Sequence, residues 1–284
     1  MKIRRSTAQA PFADFELAKR LESFSAAEMR RFAQTAGAVF SGSPAGWIEV
    51  AGGIAAFIEV DSPVNQATGM GFAGVVDALE IEEVERFYLD RGAGPLVRVC
   101  PLAHPSLLVG LSARGWIADG FENVLVRTVA QGDAMVDHLV EGVEIREVAT
   151  DEERDLWRLV AATGFSWPLP PLDAQLDLGT VVVRRPGTRL FLAFIEGRAA
   201  GTGELFIQDG IAWLSADATL PQFRGRGVQR ALQAYRLALS AAGGCELAVS
   251  EATPGAGSQR NMERAGFRVA YTRLDMILPV PGRA

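Results

Sequence analysis

The stretch Thr219-Leu-Pro-Gln-Phe-Arg-Gly-Arg-Gly-Val228 restricts the fold more than any other part of this chain. A strand-like run over residues 211–219 stops at Pro221, which has no N–H to give to a ladder. Helical spacing resumes from about residue 227 to 242. Gly225 and Gly227 allow backbone angles barred to other residues and expose successive N–H groups. A helix starting there presents free N–H groups and the positive end of its dipole. Arg224, Arg226 and Arg230 surround that start, and no carboxylate lies between Gln222 and Arg236. Together these make a nest for a pyrophosphate. A βαβ dinucleotide site is excluded, because Arg230 stands where that fingerprint needs glycine or alanine and the preceding strands read as a meander.

The rest of the second half supplies a domain around this loop. Residues 143–148 read as a strand, and Thr150 with Glu153 forms a capping box for a helix over 151–162. Residues 178–184, 190–196 and 200–208 read as strands, with Pro186-Gly187 and Glu196-Gly197 as turns. After the loop come helix 227–242, strand 246–250, helix 258–265 and strand 267–277. Antiparallel strands followed by strand–helix–strand–helix–strand predict an α+β fold with a mixed, mostly antiparallel central sheet flanked by helices.

The first half repeats the theme. Helical spacing covers 10–21 and 26–36, with Ser25 as N-cap of the second. Strands are expected at 46–50 and 53–60, and a glycine-rich run follows at 67–74. Helix 81–91, strand 96–100, helix 106–114 and strand 122–129 complete it. Residues 130–140 form a polar bridge, so the expected domains are 1–130 and 141–284. Residues 106–116 lie over 257–267 at an offset of 151, with Gly115 over Gly266. That is the pattern of a duplication, or of two α/β halves alike by chance.

A length of 284 residues accommodates two domains. A net charge of −6, from Lys+Arg 28 against Asp+Glu 34, argues against a chain-wide nucleic-acid surface, so no nucleic-acid partner is expected. Cys100 and Cys245 read as buried, reduced thiols of a cytoplasmic protein. With His104 and His138 as the only histidines, no metal-ligand spacing and no Ser-His-Asp set arises, and no metal is expected. Residues 1–12 lack an apolar leader core and no apolar run reaches bilayer length, so no membrane association is expected.

Gln222-x-x-Gly225-x-Gly227 resembles the acetyl-CoA-binding motif of the GCN5-related N-acetyltransferase (GNAT) superfamily. Ser258-Gln259-Arg260-Asn261 followed by Gly266-Phe267 resembles that family's next motif, and the likeness covers residues 143–277. The two halves together resemble tandem GNAT proteins in which an N-terminal copy has lost its CoA motif. The resemblance implies acetyl-CoA as co-substrate, held by Arg224, Gly225, Arg226, Gly227, Val228, Gln229 and Arg230. It also implies that the backbone of Ala218, Thr219 and Leu220 holds the pantetheine arm and thioester carbonyl, with Ser258 and Asn261 from the next motif. The amine acceptor would attack the thioester directly.

A general base is often found in this family four or six residues before Thr219, but Ser215 and Trp213 stand there. Asp217 shares their strand parity and is the first choice of base, with Glu204 and Glu251 as the other carboxylates in reach. The tyrosine that often protonates the leaving thiolate is replaced by Met262. In the first half, the place matching the glycine loop carries Asp77, Glu80, Glu82 and Glu83, which would repel a pyrophosphate. That half is expected to bind no CoA, and to serve in packing, homodimer formation or shaping the acceptor pocket beside residues 165–177. Three functions compete: an N-acetyltransferase acting on a small amine or exposed amino group, a catalytically silent acyl-CoA-binding protein, and a structural tandem domain.

Overall fold

The computed structural model describes residues 11–134, 140–166 and 168–280, and His138 lies outside them. In chain order the first elements are α1 (Phe15–Val39), β1 (Gly46–Val50), β2 (Gly53–Phe57), β3 (Gln66–Thr68) and α2 (Ala78–Leu89). Then come β4 (Leu96–Val99), α3 (Ser106–Ala113) and β5 (Ile117–Thr128), and after a 3-10 turn at Gln131–Ala134, β6 (Glu144–Glu147). They are followed by α4 (Asp151–Ser166), α5 (Asp173–Arg184), β7 (Arg189–Ile195), β8 (Arg198–Gln208) and β9 (Ile211–Thr219). The last are α6 (Val228–Ala242), β10 (Leu247–Ala252), α7 (Gly257–Arg264) and β11 (Arg268–Ile277).

These elements form two compact units: residues 12–122 with 271–280, and Asn123–Ala270. The division does not coincide with the boundary expected at 130–140, because the closing strands change places. The end of β5 pairs antiparallel with β10 in the second unit, from Leu247↔Thr128 to Ala252↔Asn123. The end of β11 pairs antiparallel with β4 in the first, from Leu274↔Val99 to Ile277↔Leu96. Local spacing marks both segments as strands, but a ladder partner so distant in sequence leaves no local trace.

Within the second unit the sheet order is β5-β10-β9-β8-β7-β6, and within the first it is β1-β2-β3-β4-β11. Each sheet is antiparallel except for one parallel pair, β9–β10 and β3–β4 respectively. This is the mixed, mostly antiparallel α+β architecture expected for both halves. α3 and α7 are each 8 residues long at the offset of 151. Each is followed by a glycine with left-handed φ, +84° at Gly115 and +93° at Gly266.

Three segments differ from the sequence reading, the shortest being β3, which opens the run read as glycine-rich and pairs with β2 and β4. α1 runs unbroken through Ser25, which is buried in mid-helix; the cap is Asp14, whose carboxylate accepts the Leu17 N–H at 2.9 Å. Leu21, Phe24, Met29 and Ala33 form one buried stripe across the expected break, and burial of that stripe outweighs the capping preference of one serine. Residues 178–184 are the end of α5, not a strand. The valine run at 181–183 has high β propensity, but Gly179 lets α5 close on α4, where its Cβ would lie 2.6 Å from the Arg158 Cγ. The Thr150 box forms as expected, with the Glu153 N–H donating to Thr150 Oγ1 at 3.2 Å.

Phe191, Leu205, Leu214, Leu232 and Phe267 anchor the core of the second unit; Phe57, Ile81, Tyr88, Leu107 and Trp116 anchor that of the first. In the first unit the buried Glu22 carboxylate of α1 accepts from Tyr271 Oη and Arg273 Nε, both at 2.7 Å and both on β11. Cys100 and Cys245 are free and buried. Burial pushes both thiols up, Cys100 to about 12.

Candidate functional site

The site begins with a defect in β9. Glu204 of β8 pairs with Ser215, and Thr202 pairs with Ala218, so two residues of β9 face Gly203 alone. Ala216 takes a left-handed φ of +53°, and the Thr202 Oγ1 donates to its carbonyl at 2.9 Å. Such a bulge bends its strand and reverses the side-chain alternation beyond it. Before the bulge, Ala212 and Leu214 pack with Val228, Ala231 and Leu232 of α6. After it, Asp217 and Thr219 meet α6, through Arg236 and through a 2.9 Å bond from Gln229 Nε2 to Thr219 Oγ1. The expectation that residues 213, 215, 217 and 219 share a face is therefore corrected: the bulge separates Asp217 from Trp213 and Ser215.

The bend also parts β9 from its parallel neighbour. Their ladder covers Leu247↔Ile211, Ala248↔Ala212 and Val249↔Trp213. Beyond it the Ser250 Oγ donates to the Leu214 carbonyl at 2.8 Å, bridging the start of a gap between the strands.

Past the gap the chain makes the turn expected from its sequence. Pro221–Phe223 is a short 3-10 turn, and Gly225 and Gly227 have φ of +77° and +82°. Gly227 is the N-cap of α6 and no side chain caps it; the first intrahelical bond runs from the Ala231 N–H to the Gly227 carbonyl at 3.0 Å. The N–H groups of Val228, Gln229 and Arg230 are thus left without helical acceptors. A Cβ on Gly225 would meet nothing within 4 Å. Arg224 donates to the carbonyls of Thr219 and Gly164, both at 3.4 Å, and Arg226 pairs at the surface with Glu196 at 2.9 Å.

A cleft of about 1190 Å³ opens between the end of β9, α6 and α7. Of the residues singled out from sequence, Asp217, Ala218, Thr219, Arg224, Gly225, Arg226, Gly227, Val228, Gln229, Arg230, Ser258 and Asn261 line it. Leu220 does not: it packs on the core, and its N–H is bonded to the Ala200 carbonyl at 2.9 Å. Glu204 is also absent from the cleft, being buried in an ion pair with Arg185. Glu251 is half-buried on β10 opposite Val124, outside the lining. Met262 is buried in the core, and none of the tyrosines lines the cleft.

Sequence reasoning missed Arg127, Gly164, Gln233 and Arg264, which line the same space. Arg127 arrives on the exchanged strand β5, pairs with Asp133 and donates to the Ala265 carbonyl at 2.8 Å. No local signal marks it. Gln233 and Arg264 could have been found, since each lies one turn beyond a residue already chosen, Arg230 and Asn261.

One buried oxygen of the cleft, Gln229 Oε1, lacks a protein partner. The Asp217 Oδ1 is ion-paired with Arg236 and the carboxylate is also hydrogen-bonded by Gln233; burial nonetheless raises the Asp217 pKa above that of an ordinary carboxyl. Among the described residues no group of three His, Cys, Asp or Glu is placed to hold a metal ion, and no helix is long and apolar enough to cross a membrane.

The matching place in the first unit is closed. The Asp77 carboxylate accepts the N–H groups of Leu79 and Glu80 at 2.9 and 3.0 Å, and Glu80 accepts that of Asp77 at 2.9 Å. The start of α2 thus has its own anions where α6 has none.

No curated protein matches the chain. A GCN5-related N-acetyltransferase from Kribbella flavida is similar at 20% identity and a TM-score of 0.61, over 87% of this chain and 95% of the other. A tandem GNAT protein from the clavulanic acid biosynthesis pathway is similar at 14% identity and a TM-score of 0.57, over 97% of this chain and 98% of the other. At these identities the likeness is one of fold, and the second extends it to both halves. Residues 146–267 match the model of the acetyltransferase (GNAT) family. That span contains the bulged strand, the glycine loop and α7, and it is over these residues that the chain is similar to the GNAT family.

Proposed function

We propose that the chain is an acetyl-CoA-dependent N-acetyltransferase acting on a small amine or exposed amino group, with the first unit a copy of the same fold that binds no CoA. The observation that carries this reading is the uncapped start of α6, open beside Gly225 and ringed by Arg224, Arg226 and Arg230. Those N–H groups and guanidiniums suit a pyrophosphate. Ala218 and Thr219 on one side, and Ser258 and Asn261 on the other, flank the path of a pantetheine arm toward the β9–β10 gap. Acetyl-CoA supplies an acyl group activated as a thioester, and the chain must orient an amine against it and take up the ammonium proton. Asp217 is the carboxylate of the cleft nearest that role, and burial moves its pKa toward the range where a base is useful.

A second reading, a silent acyl-CoA binder, is favoured by one observation: Met262 is buried and no tyrosine lines the cleft to protonate a thiolate. Both readings predict that acetyl-CoA at about 100 times its Kd stabilises the fold by about 2.7 kcal/mol. Calorimetry is expected to give one equivalent per chain, because α2 is self-capped; a second, micromolar site would contradict that. Release of free CoA thiol in the presence of an amine panel separates the two, and a panel without turnover favours the silent binder.

A further inference from the structure

We infer that Arg236 is a positioning residue for the acyl end of the cleft: its guanidinium holds the β9 bulge in shape and so sets where Asp217, Ala218 and Thr219 meet the ligand. The inference rests on the acyl-CoA reading of the cleft and adds a residue that does not itself touch the space. Arg236 is 0% exposed, and a charge so buried must be matched atom by atom.

The matching is specific to the bulge. Nε donates to the Leu232 carbonyl one turn back on α6, at 3.1 Å. Nη1 donates to the Glu204 carbonyl at 2.8 Å and to the Ser215 carbonyl at 3.1 Å, the two residues of the last regular pair before the bulge. Nη2 is ion-paired with Asp217, just past it. The fork therefore spans the defect and satisfies polar groups on both sides of it. Gly203, the single residue opposite, makes room: a Cβ there would lie 2.8 Å from the Arg236 Cζ. A planar guanidinium can reach these acceptors together, and a lysine ammonium cannot.

Two consequences follow for the ligand. With Oδ1 tied to Arg236, Asp217 presents its second oxygen, buried beside Gln233, at the cleft. With the bulge fixed, β9 stays parted from β10 past Val249↔Trp213, where an extended arm would enter. The glycine loop lies at the opposite end of this arrangement and has its own supports.

The test compares two perturbations from opposite sides, Arg236→Lys and Gly203→Ala, the latter keeping every charge. Calorimetry is run with acetyl-CoA and with adenosine 3′-phosphate 5′-diphosphate, which has the pyrophosphate and no pantetheine arm. Both variants are expected to bind the armless nucleotide within about threefold of wild type, and acetyl-CoA at least about tenfold more weakly, with kcat lowered further. A purely structural role would change both affinities alike or neither, and that result overturns the inference. If Arg236→Lys does not fold, Gly203→Ala decides by the same ratio. Should the wild type bind acetyl-CoA yet turn over no amine, the acetyltransferase reading fails, whereas the affinity ratio still tests the position of Arg236.

Discussion

Gly227→Asp is expected to abolish the rise in melting temperature that acetyl-CoA produces, and to weaken binding by about a hundredfold or more. The residue sits at the N-cap of α6, where the N–H groups of the first turn have no acceptors. A carboxylate there would cap those groups itself, as Asp77 does in α2, and would face the pyrophosphate. Like charges about 4 Å apart at an effective dielectric near 20 repel by about 4 kcal/mol, more than a hundredfold loss requires. The substitution also carries strain, because φ is +82° and a Cβ would lie 2.8 Å from Val140 Cγ1. Gly227→Ala shares that strain, about 1–2 kcal/mol for the backbone alone, without the charge. It is expected to lower the melting temperature and keep most of the ligand-induced rise. Equal binding by Gly227→Asp and wild type would refute the phosphate loop.

Asp217→Asn is expected to lower turnover by about a hundredfold while CoA affinity changes little. Asparagine still accepts from Arg236, so the bulge is kept and only the capacity to take a proton is lost. For wild type, kcat/KM should rise with pH until the acceptor or its base is deprotonated, and that limb should be lost or displaced in the variant. Glu204→Gln is expected to behave in the opposite way. Its partner Arg185 is as buried as the carboxylate, so breaking the pair costs about 3–5 kcal/mol of stability and little in kcat at temperatures where the protein stays folded. Full turnover in Asp217→Asn and Glu251→Gln alike would leave deprotonation to water.

The glycine loop was legible because its determinants are local. Pro221, two glycines and three arginines within ten residues decide both conformation and charge. The Thr150 box and the closing glycines at 115 and 266 were legible for the same reason. The bulge was not, because it depends on Ala216 entering the left-handed region opposite a glycine thirteen residues earlier and over an arginine from the next helix. Strand parity, a rule of unbroken ladders, therefore selected Asp217 on a false premise, although the residue does line the cleft. α5 and the unbroken α1 were missed where burial of a helical stripe overrode valine and serine preferences. Arg127 was invisible because its place follows from a ladder between residues more than a hundred apart.

The exchange of β5 and β11 also imposes an order on synthesis. When residue 122 is made, β4 has no neighbour for its outer edge, and Glu22 lacks the Arg273 that will neutralise it. Both needs are met by residues 271–277, translated after every other strand of the two units. At 5–20 residues per second that interval is on the order of ten seconds. Meanwhile residues 123–270 receive β5 at the outset and can close their sheet as soon as β10 appears. The half of the chain that is made first therefore finishes folding last, and a stop before Tyr271 would strand the first unit while leaving the second unit's ladders whole.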